Sequence, residues 1–385
     1  MSVRRMVTLS ACGALCAAAL VGAPHAAANL RAAGPHWRVV ARTAGGPLGV
    51  VAAPRSASAW VFGWGAPPPD GRIFPIGRHW NGHRWSGVQF PSAVKNSGMS
   101  CAGVSSPKNV WAFSGAGASG GNPPSTVSAL RLRSGHWVAA KNFPGSYVTG
   151  CNVISATNVW VFGGTVAGLG PGIGTWHFNG SSWRQLKTGS LVLFNSSAVS
   201  GTDIWAAGAD VSNGSSIQPV IARWNGHSWR EIRSIGSVLP KVTSTTTVGI
   251  DNIKALSATN VWVLAGVFRQ STLSFLVVHW NGRAWSRVRP GSPGYYLPTA
   301  VRDGHGGWWS PPYLPSQSVP YLLHRAHNHW TRFSLPVKLT VFFGTVGSFF
   351  GITHVPHSHA MLVAGSQMGS KTLKGVVLAF GRLPT

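Results

Sequence analysis

Short apolar, aromatic-rich runs alternate with polar corners along this chain at a nearly constant interval. The stretch from Tyr147 to Leu186 shows the unit. An apolar run through Cys151 and Ile154 meets the corner Ser155-Ala156-Thr157-Asn158, and the run Val159-Trp160-Val161-Phe162 then ends at Gly163-Gly164. A Gly-rich connection leads to Trp176-His177-Phe178, the turn Asn179-Gly180 and a last short run opened by Trp183. Branched and aromatic residues in short runs bounded by Gly, Asn and Ser read as strands joined by turns. The unit therefore predicts four strands and three turns.

Two landmarks recur. The first is a polar corner followed by an aromatic strand, with Trp60, Trp111, Trp160, Trp205 and Trp262 at equivalent places and degenerate copies at Trp308-Trp309 and Met361-Leu362. Asn or Asp before the strand suits a turn, because the short side chain bonds nearby backbone. The second is Asn-Gly closed by a Trp three residues after the Gly: Asn81-Gly82 with Trp85, Asn179-Gly180 with Trp183, Asn225-Gly226 with Trp229, and Asn281-Gly282 with Trp285. Asn-Gly favours the positive φ angles of a two-residue hairpin, which is the expectation here. Ser134-Gly135-His136-Trp137 is a shorter copy and His327-Asn328-His329-Trp330 a worn one. Repeats of this length that each supply one small sheet build a β-propeller.

One copy is displaced. Gly34-Pro35-His36-Trp37 carries the second landmark with no first landmark before it, and the last repeat, Phe349 to Thr385, carries only the first. The two fragments complete one another. The expectation is an all-β, seven-bladed β-propeller of four-stranded antiparallel blades, closed by the N-terminal strand within residues 29–45 pairing near Val376. Closure of this kind removes open sheet edges. Gly163-Gly164, Trp176 and Trp183 together resemble the kelch pattern of a double Gly, an aromatic and a spaced Trp. The mature chain is thus similar to kelch-type propellers, the superfamily that includes the galactose oxidase propeller, and to secreted bacterial propellers of unassigned role. No positions match the copper ligands of galactose oxidase, so the resemblance implies no cofactor.

Arg4 and Arg5 precede an apolar run from Met6 to Ala23, and Ala26-Ala27-Ala28 offers a small-residue cleavage site. This predicts a signal peptide over residues 1–28, a single propeller over 29–385, a secreted or envelope-associated location and no membrane span after cleavage. The alternative is an uncleaved anchor.

Charge changes the picture. The chain of 385 residues carries 32 Lys and Arg against 6 Asp and Glu, a formal net charge of +26. Such a balance favours polyanionic partners. It also disfavours hydrolysis by paired carboxylates, because Asp70, Asp203, Asp210, Glu231, Asp251 and Asp303 are scattered. Asp203 is expected to serve its turn. Cations follow the second-landmark Trp, on what should be the fourth, outer strand: Arg38, Lys141, Arg184, Lys187, Arg230, Arg233, Arg287, Arg289 and Arg332. Charged outer edges resist aggregation; a cationic choice at nearly every position also predicts a rim that holds anionic polysaccharide or another cell-envelope polyanion. No motif for sequence-specific nucleic-acid reading is present, and a monomer is expected.

Spacing from first to second landmark stays within 21 to 26 residues, whereas the return runs from 22 to 33, so length variation falls on the links between blades. Those links share a face with the second-to-third-strand loops, and variable loops on a rigid scaffold commonly carry binding. Tyr147, Arg269, Tyr295, Tyr296, Arg302 and Tyr313 are the candidates there, each equally well read as linker packing. The preferred function is non-catalytic binding or scaffolding. The alternative is a lyase on acidic polysaccharide using Arg, Tyr and His. His354, His357 and His359 should lie in one turn of blade 7, and His324, His327 and His329 in a turn of blade 6. A cationic patch that responds to pH is favoured over a metal site. Cys101 and Cys151 occupy matching positions in blades 2 and 3, and the sequence leaves open whether they are bonded or are two buried thiols. No cofactor is expected.

Overall fold

The computed structural model describes residues 35–65, 73–115, 126–164, 172–212, 218–270, 272–314, 318–340, 351–368 and 373–385. The expected signal segment over residues 1–28, Asp70, most of the loop from Gly115 to Ser128, part of Pro311 to Pro320 and residues 341–350 of the last link lie outside these.

Five sheets have four antiparallel strands each, and one has eight. In blade 3 the strands are Gly150–Ser155, Asn158–Gly163, Gly174–Phe178 and Trp183–Leu186; in blade 5 they are Thr246–Ser257, Asn260–Arg269, Thr272–Trp280 and Trp285–Val288. The eight-stranded sheet is two blades. Blade 6 runs Val301–Arg302, Trp308–Ser310, Ser318–Ala326, His329–Thr340, and blade 7 runs Gly351–His354, Met361–Met368, Leu373–Phe380, then Trp37–Thr43. A single pairing, Thr340 with Ser366, bridges them. The result is a seven-bladed β-propeller.

Closure follows the sequence expectation. The strand Trp37–Thr43 pairs antiparallel with Leu373–Phe380, placing Trp37 opposite Phe380 and Arg42 opposite Val376. First strands of neighbouring blades pack on one another at every joint but that between blades 5 and 6, so they are the inner strands. Cys101 and Cys151, on the first strands of blades 2 and 3, are joined in a disulfide with their Cα atoms 6.0 Å apart.

The core is divided among the joints between blades. Each second-strand Trp meets the fourth-strand Trp of the next blade edge to face: Trp60 with Trp137 at 5.4 Å, Trp111 with Trp183 at 5.5 Å, Trp160 with Trp229 at 5.5 Å, Trp205 with Trp285 at 6.4 Å and Trp309 with Trp37 at 5.2 Å between centroids. Where blade 7 meets blade 1, Leu362 replaces the first partner and packs in one cluster with Trp85. The joint between blades 5 and 6 departs from the rule. It holds two small clusters filled from the long link by Tyr295, Tyr296 and Leu297.

The Asn-Gly turns differ from the expected two-residue hairpins. Trp80 pairs with Trp85, so four residues form the connection. Asn81 Oδ1 accepts the N–H groups of His83 and Arg84 at 3.0 and 2.9 Å, and only Gly82 takes positive φ, +94°. The Asn side chain, rather than a left-handed Asn backbone, closes the turn. True two-residue connections occur in the worn copies, where Ser134-Gly135 and His327-Asn328 both have positive φ.

Trp37→Ala should cost about 3–5 kcal/mol, the usual range for emptying a buried aromatic site, because the ring is 3% exposed and bridges Trp309 and Phe380. Denaturant unfolding measures this. A loss below 1 kcal/mol would mean that ring closure does not depend on this residue.

Candidate functional site

The histidines and arginines are placed first by the second strand. The residue directly opposite each second-strand Trp on the third strand is His79, Arg131, His177, Arg223, His279 and His324 in blades 1 to 6. Each lies over the Trp ring: His79 is 3.7 Å from the Trp60 centroid, His279 is 3.9 Å from that of Trp262, and the Arg223 guanidinium is 5.0 Å from that of Trp205. The corner residue two before the Trp ties the pair together. Asn260 Oδ1 accepts from Trp262 Nε1 at 2.6 Å and from His279 Nε2 at 2.9 Å, and Asn158 does the same for Trp160 and His177. In blade 4 Asp203 takes both Nε and Nη2 of Arg223, at 2.7 and 3.0 Å, so this carboxylate serves an ion pair as well as its corner. In blade 6 Asp303 accepts from His324 at 2.8 Å. Burial holds His79, His177 and His279 below the ordinary histidine range.

The predicted rim cations separate into groups. Arg184, Lys187, Arg230 and Arg289 are exposed, although Lys187 and Arg289 lie just past their strands. Arg233 is not on a strand: it opens the short 3-10 helix Arg233–Ser237 and pairs with Glu231 at 3.0 Å. Arg287 Nε donates to the Val238 carbonyl at 2.7 Å, Arg332 lies 4.9 Å from the Tyr321 ring centroid, and Arg38 donates to the Gly381 carbonyl. Lys141 lies 5.4 Å from the Trp176 centroid in the next blade. There it joins Arg131 and Arg133, which the sequence reading missed, in a groove of about 430 Å³ between blades 2 and 3. Trp111, Phe178 and Trp183 supply its aromatic wall, and no carboxylate lines it. Arg131 stacks 5.1 Å from the Trp111 centroid, and burial followed by the nearby Arg133 charge lowers its pKa. A pattern could have revealed Arg131, since His79, His177, Arg223 and His279 each stand two residues before an Asn-Gly.

The face candidates do not assemble as one site. Tyr295, Tyr296 and Tyr313 pack together with ring centroids 5.2 to 5.9 Å apart from one another or from Phe275. Tyr313 shares a hydrogen bond with Thr299 Oγ1 at 3.1 Å. Burial raises the pKa of all three phenols, Tyr295 and Tyr296 filling the link into blade 6 and Tyr313 the loop after that blade's second strand. Tyr147 bridges to Gly172 in blade 3, and Arg269 ends the second strand of blade 5 in the open. Arg302 lies 4.4 Å from the Trp308 centroid.

The histidine grouping also differs from expectation. His324 belongs to a third strand, not a turn, and His354 closes a first strand. His305, unnoticed in the sequence, stacks on His359 at 3.8 Å, and both His305 and His354 donate Nε2 to the Ser358 carbonyl, at 3.1 and 2.7 Å. Among the described residues no three His, Cys, Asp or Glu side chains converge as a metal-ligand set.

A second concavity lies at the axis. Asn195 and Ser197 of blade 4, Asn252 and Lys254 of blade 5 and Thr299 of the following link line a cleft of about 260 Å³. Asn195 Nδ2 donates to Asn252 Oδ1 at 3.3 Å. Lys254 is half-buried where it lines the cleft, and burial, with a smaller contribution from Arg302, lowers its pKa. On the same strand Asp251 sits at a bulge, and burial pushes its carboxyl up to about 7.

No family model matches the sequence, and no curated protein matches it. Among solved structures it is similar to the extracellular domain of a one component system from B. thetaiotaomicron, with TM-score 0.51 and 8% identity over 89% of this chain and 40% of that one. A structure from work on two prolyl endopeptidases gives TM-score 0.50 and 11% identity over 90% and 49%. A GH74 xyloglucanase from Xanthomonas campestris gives 0.45 and 11% over 86% and 59%. The chain spans 59% or less of each of these. The shared feature is the propeller fold, and identities this low speak to nothing finer. No helix among the described residues is long and apolar enough to cross a membrane.

Two pH dependences follow. Folded Asp251 keeps a proton that the unfolded chain, near the ordinary 3.8, has released, so its contribution to stability falls as pH rises from about 4 to about 7 and stays low above. Asp251→Asn should therefore unfold later than the parent at pH 8, by up to roughly 4 kcal/mol, and gain little at pH 4. A variant no more stable at pH 8 would contradict the burial. The stacked histidines act in the opposite sense: as pH falls below 6.5 the unfolded chain takes protons that His279 resists. His279→Gln, which keeps an N–H for Asn260, should lose less stability than the parent between pH 7 and pH 5; equal slopes would exclude this origin.

Proposed function

We propose that this chain is an exported, non-catalytic propeller that binds anionic polysaccharide of the cell envelope or its surroundings on its basic rim, with the groove between blades 2 and 3 as the main contact. In this reading residues 1–28 direct export and are removed, residues 29–385 form one monomeric propeller, and the repeats are of kelch type. The observation that carries it is the set Arg131, Arg133 and Lys141, converging against Trp111 and Trp183 in a groove lined by no carboxylate. Arg offers carboxylate and sulfate groups a planar fork of donors. Aromatic faces add contact area that a sugar ring can share. The net charge of +26 supplies the long-range attraction that brings a polyanion to this edge.

Binding to an immobilised acidic polysaccharide such as polygalacturonate, measured against salt, tests the reading. Ionic contacts weaken as counterions compete, by about 0.7 in the logarithmic salt slope per contact on a single-stranded polyanion. Arg131→Gln/Arg133→Gln/Lys141→Gln should reduce that slope by about 2 and affinity by about tenfold or more at low salt. Arg133→Gln/Lys141→Gln, which spares the stack on Trp111, should give an intermediate loss with the parent's melting temperature. Unchanged binding in both variants, or binding insensitive to salt, would overturn the proposal.

A further inference from the structure

The axial cleft is not part of the rim, and its chemistry is different. Its polar lining comes from three successive parts of the ring: Asn195, Ser196 and Ser197 from blade 4, Asn252 and Lys254 from blade 5, and Thr299 from the link into blade 6. These groups are amides, hydroxyls and one amine, and no carboxylate is among them. Several are already held in place. Asn195 donates to Asn252, Ser197 Oγ accepts the Ala255 N–H at 3.0 Å, and Thr299 Oγ1 lies 2.8 Å from Ser310 Oγ. The walls are therefore fixed by bonds among themselves, while the Lys254 ammonium has no carboxylate within ion-pair distance among the described residues. The charge that acts on it is that of Arg302, of the same sign, and Asp251 on the same strand does not line the cleft.

A half-buried cation with no carboxylate beside it loses part of its hydration, and a counter-charge offsets that cost. An anion in the cleft would do so, and it would meet fixed donors from amides and hydroxyls as well. We propose that the axial cleft is a binding site for a small oxyanion-bearing solute, a carboxylate or phosphate compound, with Lys254 as its counter-charge. The cleft's size suits a metabolite rather than a polymer. The site stands apart from the rim reading, because none of the groove residues lines it.

The test is reductive methylation of the protein with 13C-formaldehyde, followed by NMR titration of the dimethyl-lysine signals. Lys254 is assigned by its loss in Lys254→Met. In chloride at fixed ionic strength the Lys254 signal should titrate below those of the surface lysines. Phosphate and citrate, tested separately at the same ionic strength, should shift its midpoint upward; a response to one alone identifies which oxyanion is held. In unmethylated protein the effective anion should raise the melting temperature by several degrees more than chloride does. That rise should persist in the Arg133→Gln/Lys141→Gln rim variant and vanish in Lys254→Met, whose own melting temperature should equal or exceed the parent's. A Lys254 signal that titrates with the surface lysines, or that no added anion moves, overturns the proposal. So does an anion-dependent rise in melting temperature that Lys254→Met retains.

Discussion

The ring depends on one repeated contact, the edge of a fourth-strand indole set against the face of the preceding blade's second-strand indole. Sheets that radiate from an axis share few backbone hydrogen bonds across their joints; among the described residues one strand pairing crosses a joint, at Thr340 and Ser366. What holds neighbouring blades is side-chain packing. Edge-to-face rings supply large apolar area with a preferred angle, worth about 0.5–1.5 kcal/mol per pair beyond burial. The interplanar angles of 78° to 87° at five joints keep blade after blade at a similar pitch. Among the described residues the buried indole N–H groups of Trp37, Trp60, Trp85, Trp137, Trp183, Trp205, Trp229 and Trp285 find no hydrogen-bond acceptor, on both sides of these joints, which accords with rings packed against rings.

This contact also explains the two-landmark sequence. The Trp after the polar corner and the Trp after the Asn-Gly turn are not partners within a blade; they are the two halves of a joint, one supplied by each neighbour. Counting both landmarks was therefore enough to expose the ring and its closure, since Trp37 had no first landmark before it and the last repeat had no second. The corner Asn was legible as a turn residue but not as the acceptor that orders a Trp and a His behind it. The same residue type serves both purposes, and only register shows the second. Register likewise gives the third-strand set its meaning: His79, His177, Arg223 and His279 share a place two residues before an Asn-Gly in the sequence, but only strand pairing sets them, with Arg131 and His324, across from a Trp.

The candidate sites were less legible, for a related reason. Strand position predicts which cations reach the outer edge, and Arg184 and Arg230 do. It does not predict convergence between blades, which depends on twist and strand length. Blade 2 has a nine-residue fourth strand, His136–Pro144, so Lys141 extends over Trp176 of blade 3 and completes a groove with two third-strand arginines. The tyrosines of the long link were visible as an unusual cluster. Their role follows from the joint between blades 5 and 6, one of the two that lack the indole pair: Trp330 is turned to donate to the Pro293 carbonyl at 2.9 Å, and Tyr296 packs on it instead. The cleft beside Lys254 opens along this same part of the ring, where the regular joint gives way.

Charge is distributed by the same logic of local use. Of the described carboxylates, Asp203 pairs with Arg223, Glu231 with Arg233 and Asp303 with His324, while Asp210 accepts the Ser212 N–H in its own turn. Asp251 sits deep in the inner strand of blade 5, where burial keeps its proton on through mildly acidic pH. Three of the five described acids are thus matched within the fold to a cation or histidine. The excess of Lys and Arg has no internal counter-charge to meet, and most of it must face solvent, where each charge is hydrated and acts through the summed field. Lys254 is the opposite case. A charge half-buried in a cleft is screened less than one on the open rim, so one ammonium at the axis can select a small anion where a rim of arginines selects only for charge density.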